Sequence, residues 1–445
     1  MTEVWPQGTH RNDSGELVIG GVSVVDLVQR QGSPIYIYDE LTLRGAMRTW
    51  KQALENRLPG SRVVYAGKAF LCTAIAEIVA EEGLGLDCVS DGELFIGLNA
   101  GVNPAMLSLH GNNKGRNELE MAIEVGIGKI IVDNHDEIEL LAELTAAHQS
   151  PITVLVRLNP GVDVHTHRKI STGMADSKFG LPIADGQAER AVKRLTEIPG
   201  VHLAGYHAHV GSQLFDTDAH TSAIGDMIAF AAEMKRKHHV HLEIFSPGGG
   251  FGIGYHDVDS PLDPTVWVDV LATAIETSCA ANSLPLPQVI IEPGRSIAGP
   301  AGVAVYTLGA RKELPGLRTY VSVDGGMADN IRPALYDASY TAVIANRRDS
   351  AAPEKVTIAG KYCESGDILI DDIELPSPRE GDLLAVPAAG AYCLAMASNY
   401  NMSLKPAVAL VRDGSATLIR RRESFADLIR LDRSVGSKEE KSAIT

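Results

Sequence analysis

The sequence predicts an α/β protein in which a (β/α)8 barrel is followed by a mostly β domain. Eight short β-branched or apolar runs recur between residues 60 and 295, with helix-like stretches between them. Continuous apolar runs indicate strands that are buried on both faces, which favours a closed parallel barrel over an open doubly wound sheet. After about residue 300, alternating runs separated by turns replace the helix patterns, as is typical of a β domain.

The predicted elements divide the chain into three parts. Residues 1–40 form an N-terminal segment that is expected to join the β domain, residues 41–300 form the barrel, and residues 301–445 form the C-terminal β domain. The long segments after strands five and six are typical of functional loops. The eight predicted strands are Val63–Ala66, Gly85–Val89, Met106–His110, Ile130–Asp133, Thr153–Arg157, Leu203–His209, Leu242–Phe245 and Val289–Glu292.

The charge balance and the cysteines exclude several classes of protein. The chain has a formal net charge of −16, which argues against a nucleic-acid partner because such binding relies on an excess of Lys and Arg. No apolar run is long enough to span a bilayer. The five cysteines are scattered and form no CxxC pair, so we expect neither a metal site nor a disulfide framework, and we predict a cytoplasmic protein.

Polar residues at the ends of the predicted strands indicate a pyridoxal-phosphate site, because barrel active sites lie there. Lys68 follows strand one, where partial desolvation would favour the free amine that Schiff-base chemistry needs; the alternative is a surface lysine. The glycine run 248–250 would face an anion with its N–H groups. Glu292 would hold a protonated pyridine nitrogen, or else pair with Arg295. His209 would stack on the cofactor, or else be a core histidine.

Several long motifs resemble those of one enzyme family. They are YAGKAF, GLDCVSDGEL, LHGNNK, HTHRKISTG, SKFGL, GYHAHVGSQ, GGGFGIGY, EPGR, VDGGMADNIRPALY, CESGD and the stretch from GAYC to NYN. Through these motifs the chain, from residue 65 to about 401, resembles diaminopimelate decarboxylases, within the alanine-racemase-like, fold type III group of pyridoxal-phosphate enzymes.

The resemblance implies a role for each matching residue. Lys68 and Cys363 would be catalytic, with Cys363 as the proton donor, and the Cys363–Glu364 segment would reach into the barrel of a partner in a homodimer with shared active sites. The implied cofactor contacts are Lys68, His209, Ser212, Gly249, Gly250, Glu292, Pro293, Gly294, Arg295 and Tyr392. The implied substrate contacts are Arg295, Arg332, Tyr336, Glu364 and Tyr392.

The resemblance also implies a reaction, the decarboxylation of meso-2,6-diaminopimelate to L-lysine and CO2, the last step of lysine biosynthesis. An arginine fork suits such a diamino diacid, and a helix opened by Pro333 would turn Arg332 and Tyr336 the same way. One alternative is a decarboxylase of this fold for ornithine, arginine, carboxynorspermidine or a carrier-bound amino acid. Others are a non-catalytic pyridoxal-phosphate protein, disfavoured by the long β domain, and a racemase, disfavoured by Glu292.

Overall fold

The computed structural model contains a closed barrel of eight parallel strands, which confirms the predicted fold class. The structure describes residues 4–146, 151–161, 177–348 and 352–435. Each strand pairs in parallel with the next, and the eighth pairs with the first. The barrel strands are Arg62–Ala66, Gly85–Cys88, Leu107–Leu109, Lys129–Val132, Ile152–Asn159, Val201–His207, Ile244–Gly248 and Gln288–Ile291.

The predicted bounds of strands six and seven were wrong by two to three residues. Strand six ends at His207, so His209 lies beyond it. Strand seven runs on past Phe245 through Pro247 to Gly248. A proline lacks the N–H that pairing of strands needs, so it normally marks the end of a strand. Here the register between strands seven and eight shifts between Phe245 and Gly248, on either side of Pro247. This shift accommodates Pro247 within the strand. The sequence pattern alone did not indicate such a shift.

Helices surround the barrel and follow its strands in order. They are Thr73–Glu81, Asp91–Asn99, Arg116–Val125, His135–Thr145, Gln187–Thr196, Asp218–His238, Pro264–Ala281 and Arg295–Ala301. The last of these helices is short. The helix Glu40–Arg57, which precedes strand one, packs beside it and beside Pro264–Ala281. Trp50 on that helix lies 4.4 Å from Phe251, ring centroid to ring centroid, within the core. Across the described ranges, no helix is both long and apolar enough to cross a membrane.

The second domain is a sheet that draws on both ends of the chain. In order across the sheet, its strands are Ile368–Pro376, Pro353–Ala359, Arg318–Val323, Gly302–Leu314, Ile35–Asp39, Ala407–Arg412 and Ser415–Arg420. Leu383–Val386 pairs with both Gly302–Leu314 and Val343–Ile344. Strands His10–Arg11, Leu17–Ile19 and Val22–Ser23 form a small separate sheet, and the helices of this region are Val24–Gln31, Arg332–Tyr336 and Phe425–Ile429. The strand Ile35–Asp39 thus carries the N-terminal segment into the sheet of the C-terminal region.

A buried ion pair joins the loop after strand three to the helix after strand four. The ammonium of Lys114 lies 3.0 Å from a carboxylate oxygen of Glu137, and both side chains are 1% exposed. Lys114 also donates to the backbone oxygens of Gly111 and Ile131. Because all three donors of the ammonium are used, the pair fixes the strand ends that face the cavity described below.

Replacing Lys114 with Met should lower the free energy of unfolding by about 3–5 kcal/mol, because it leaves Glu137 buried without its partner. Urea unfolding followed by circular dichroism measures the change. The control is Arg194→Met, which breaks the exposed pair with Glu139 and should cost less than about 1 kcal/mol. Equal effects of the two substitutions would contradict the assigned role of Lys114.

Candidate active site

One cavity of about 480 Å3 opens at the carboxyl ends of the barrel strands. Its walls come from both parts of the molecule, because the barrel is capped there by the helix Arg332–Tyr336 and by Tyr392 of the second domain. The lining includes Lys68, Asp87, His110, Arg157, His207, His209, Ser212, Tyr255, Glu292, Arg295, Arg332, Tyr336 and Tyr392. Most of the residues predicted for cofactor and substrate therefore share one space.

Lys68 lies in the short turn Gly67–Ala69 after strand one. Its neighbours in the turn are buried, whereas Lys68 itself is exposed and lines the cavity, so the expected desolvation of its amine was wrong. The backbone N–H of Tyr392 donates to the oxygen of Ala69 at 2.8 Å. The second domain is thus anchored directly beside Lys68.

Two carboxyl groups and two imidazoles form a buried group across the barrel. Asp87 lies 2.6 Å from Nε2 of His110, and Glu292 lies 3.1 Å from Nε2 of His207. The hydroxyl of Ser246 donates to the second oxygen of Glu292 at 2.7 Å. The predicted alternative for Glu292, an ion pair with Arg295, is therefore wrong, because strands six and seven supply its partners.

The two buried carboxyl groups have pKa values that are shifted in opposite directions. Burial and the nearby charge of Glu292 raise the pKa of Asp87 well above its usual range. Burial alone would also raise the pKa of Glu292, but His207, His110 and the hydrogen bonds hold it well below its usual range. Glu292 is thus the ionised carboxylate of the site, a state that suits binding to a cationic ring nitrogen.

Arg295 begins the helix after strand eight and crosses the cavity wall. Its guanidinium donates to the hydroxyl of Tyr255 at 2.7 Å and to that of Ser212 at 2.8 Å, and it lies 4.7 Å from the ring centroid of Tyr392. Among the described residues, the buried Nε of Arg295 has no hydrogen-bond partner. A buried donor of this kind beside a cavity fits an anionic ligand.

Arg332 is buried against a pair of aromatic rings. Its guanidinium lies 4.8 Å from the ring centroid of Tyr255 and 5.4 Å from that of Tyr340, and it donates to the Tyr340 hydroxyl. Tyr336, four residues later on the same short helix, lines the same cavity. This arrangement holds one positive charge at the cavity wall, opposite the barrel.

The glycine run lies behind Ser212 and His209. Backbone φ is +80° at Gly248 and +99° at Gly250, where other residues would be strained. A Cβ at Gly249 would lie 2.1 Å from the backbone oxygen of Glu292, so only glycine allows this approach. Pro293 and Gly294 continue from Glu292 into the helix that begins at Arg295. The loop therefore packs against the backbone that carries Glu292.

Cys363 and Glu364 lie outside this cavity. Cys363 is exposed, and its N–H donates to the side chain of Asn401 at 3.1 Å, while the Tyr400 hydroxyl donates to Glu364 at 2.9 Å. Cys363 lines a separate depression that it shares with Tyr362. Within one chain, the structure does not bring the predicted proton donor together with Lys68.

The sequence did not indicate the aromatic contacts of the site. Tyr255 and Tyr340 were missed, although Tyr255 ends the glycine-rich motif GGGFGIGY and that position is a usable signal. Arg157 was noted as a strand end, but not its position 4.4 Å from the ring centroid of Phe179. The motif HTHRKISTG lies entirely outside the described residues.

Four histidines lie in and behind the cavity, and three of them are buried. Burial lowers the pKa of His110 to about 3 and that of His220 to about 4. It also lowers the pKa of His207 and that of His209. The neutral form of His220 is thus favoured near pH 7, so its ring is able to donate one hydrogen bond and to accept another.

Comparisons with known proteins agree with one another. A family profile described as "Pyridoxal-dependent decarboxylase, pyridoxal binding domain" matches residues 41–299. The chain is 45% identical to the diaminopimelate decarboxylase of Bacillus subtilis over 96% of this chain and 97% of that protein. It is 41% identical to that of Mycobacterium tuberculosis H37Rv, again over 96% and 97%.

Solved structures give the same result. The diaminopimelate decarboxylase of M. jannaschii, solved in complex with L-lysine, superposes with a TM-score of 0.91 at 32% identity, covering 98% of this chain and 99% of that one. The Helicobacter pylori enzyme, also complexed with L-lysine, gives a TM-score of 0.84 at 28% identity, covering 92% and 98%.

Replacing His220 with Gln should flatten the acid side of the stability curve. The folded-state pKa of His220, about 4, lies below the ~6.5 of an unfolded histidine, so between these values mainly the unfolded state takes up this proton. The contribution of neutral His220 is therefore present above pH ~6.5 and is lost as the pH falls towards 4. Urea unfolding between about pH 7 and pH 5 should show a slope that is smaller by up to about 1.4 kcal/mol per pH unit in the variant.

The control for this measurement is His241→Gln, which replaces an exposed histidine and should leave the slope of wild type unchanged. A His220→Gln variant with the same slope as wild type would show that folding does not lower the pKa of His220.

Proposed function

The chain belongs to the family of diaminopimelate decarboxylases, and on this premise we propose that its barrel cavity converts meso-2,6-diaminopimelate into L-lysine and carbon dioxide, the last step of lysine biosynthesis. The enzyme is a pyridoxal-phosphate-dependent carboxy-lyase. The observation that carries the proposal is the placement of Lys68, Glu292 and Arg332 around one cavity. These groups supply an amine, an ionised carboxylate and a fixed cation to one ligand.

The residues present fit pyridoxal phosphate. Glu292 is ionised where a pyridine nitrogen needs an anion, Arg295 has a buried donor without a partner, and Gly249 allows close backbone approach. When bound, pyridoxal phosphate supplies an electron sink for the electron pair that the departing carboxylate leaves behind. The residues that would hold it are Lys68, His209, Ser212, Gly249, Gly250, Glu292, Pro293, Gly294, Arg295 and Tyr392.

Each proposed catalytic group acts on a stated atom. Nζ of Lys68 would hold the cofactor covalently. Glu292 would keep a proton on its pyridine nitrogen. Sγ of Cys363 would donate a proton to the carbon that loses its carboxylate.

The substrate is a small diamino diacid, and the fixed cations of the cavity wall suit its carboxylates. Arg332 is buried, and its guanidinium contacts the rings of Tyr255 and Tyr340 and donates to the Tyr340 hydroxyl, so it offers a fixed cation to a carboxylate. Arg295 is tied to Tyr255 and Ser212 and presents a second cation. The proposed substrate contacts are Arg295, Arg332, Tyr336, Glu364 and Tyr392.

We further propose that a second copy of the chain completes the site as a homodimer. The cavity is lined by no cysteine among the described residues, whereas Cys363 is exposed in a separate depression. Cys393 lies near the cavity but is buried, and burial raises its pKa, which makes it a poor proton relay to the substrate. Cys363 and Glu364 of the second copy would therefore enter the cavity beside Lys68.

We also propose a cytoplasmic location. All five cysteines are free thiols, and an exposed thiol such as Cys363 stays reduced in that compartment. Oxidation of Cys363 would remove the proposed proton donor.

Replacing Lys68 with Ala should lower the rate of lysine release from meso-diaminopimelate by about 10³-fold or more, because the amine that binds the cofactor is lost. Wild type should release lysine and carbon dioxide in equal amounts when pyridoxal phosphate is present, and should leave ornithine unchanged. Lys193→Ala, which removes an exposed lysine, is the matched control and should keep wild-type activity. Turnover of ornithine with an inert diaminopimelate would refute the proposed substrate.

Mixing two inactive variants should restore activity if the sites are shared. After dissociation and reassociation of equal amounts of Lys68→Ala and Cys363→Ala chains, about half of the dimers are hybrids and one site in each hybrid is intact, which gives about a quarter of wild-type activity. The control mixture is Lys68→Ala with Glu292→Gln, both in the same barrel, and it should stay inactive. Proven hybrids without activity in the first mixture would contradict the shared site.

A further inference from the structure

His220 lies outside the cavity, behind the glycine run. It is in the first turn of the long helix Asp218–His238 and is fully buried. Its ring stacks against Phe251, with centroids 5.8 Å apart and planes at 12°, and meets the edge of Trp267 at 5.3 Å. The ring is therefore held in one plane by aromatic neighbours.

One hydrogen bond leaves this aromatic enclosure. Nε2 of His220 lies 2.9 Å from the backbone oxygen of Gly249. A carbonyl oxygen only accepts, so Nε2 carries the hydrogen and donates it. Nδ1 has no hydrogen-bond partner among the described residues. A neutral ring with its hydrogen on Nε2 satisfies this arrangement, and burial favours that neutral form by lowering the pKa of His220 to about 4.

Gly249, whose oxygen accepts this bond, also contacts His209 and the backbone of Glu292 in the proposed cofactor site. The N–H of Gly249 donates to Nδ1 of His209 at 3.3 Å. Its α-carbon packs so closely on the Glu292 backbone that a Cβ would lie 2.1 Å from that oxygen, and the N–H of Glu292 donates to the oxygen of Gly248. Gly249 is thus tied to His220 through its oxygen, to His209 through its N–H and to the Glu292 backbone through its α-carbon.

We propose that His220 is a positioning residue for the phosphate end of the cofactor: by holding the oxygen of Gly249, it turns the N–H of Gly250, which points the opposite way in the same planar peptide, towards a phosphate. The loop needs such a support because Gly248 and Gly250 have wide conformational freedom. This inference rests on the proposed function, since it assigns a phosphate-bearing cofactor to the loop. The rival reading is that His220 only fills the space between Phe251 and Trp267.

The test compares pyridoxal phosphate with pyridoxal, which lacks the phosphate. Both dissociation constants are measured on the full chain after removal of its cofactor, by the absorbance of the bound chromophore. His220→Phe keeps an aromatic ring in the enclosure and removes the donor. His220→Gln places an amide nitrogen near the position of Nε2 and keeps the donor. Trp267→Phe changes the same enclosure without touching the hydrogen bond.

His220→Phe should weaken pyridoxal phosphate binding about tenfold, as expected for one lost hydrogen bond to a buried carbonyl, and should change pyridoxal binding less than about twofold. His220→Gln should stay within about threefold of wild type for both ligands. Trp267→Phe should leave the ratio of the two constants unchanged. Activity at saturating pyridoxal phosphate should fall less than affinity does, because the reacting groups remain in place.

Several results would overturn the inference. Equal weakening of both ligands, or a Trp267→Phe variant that shifts the ratio as His220→Phe does, would show that packing alone matters. If His220→Phe does not fold, His220→Asn takes its place, because its amide is one bond too short to reach Gly249. If wild type binds pyridoxal phosphate and the His220 variants bind it equally well, the inference is refuted but the proposed function is not. If wild type binds no pyridoxal phosphate, the proposed function is refuted as well.

Discussion

Glu292 is buried at the end of the eighth barrel strand, where an unpaired carboxylate would be strongly disfavoured. His207 from strand six and Ser246 from strand seven hold its two oxygens. These three strands are neighbours in the barrel, so their register must be kept for the charge to be tolerated. Because Gly249 packs on the backbone oxygen of Glu292, the glycine loop depends on the same register. The buried charge of Glu292 therefore makes the shape of the cavity depend on the pairing of strands six, seven and eight.

The second domain contributes part of the wall of the cavity at the end of the barrel. The N–H of Tyr392 bonds to the turn that carries Lys68, and Arg332 lies against the ring of Tyr255, which belongs to a barrel loop. A guanidinium that lies against a pair of aromatic rings is held by cation–π attraction and loses little freedom when a carboxylate binds. The contact between the domains is thus also the proposed substrate site, and a barrel without the second domain would lack that cation.

Periodicity and strand-end logic predicted the barrel and the approximate place of Lys68 and Glu292, because both depend on local sequence. The contacts of Arg332 were not predictable in this way, because Tyr255 and Tyr340 reach it from different loops and only the fold brings them together. The irregularity at Pro247 is similar, since a strand that continues through proline depends on its neighbours rather than on its own pattern. Local signals place a residue at a strand end, but its partners are set by tertiary packing.

The loop that carries Cys363 supports a shared site through its own rigidity. Asn401 accepts the N–H of Cys363, Tyr400 donates to Glu364, and Asp367 accepts backbone N–H groups from the loop and from the segment beside it. Association with a second copy costs less free energy when the inserted loop is already ordered, because little conformational entropy remains to be lost. The hydrogen bonds around Cys363 therefore fit the proposed insertion of this loop into a neighbouring barrel.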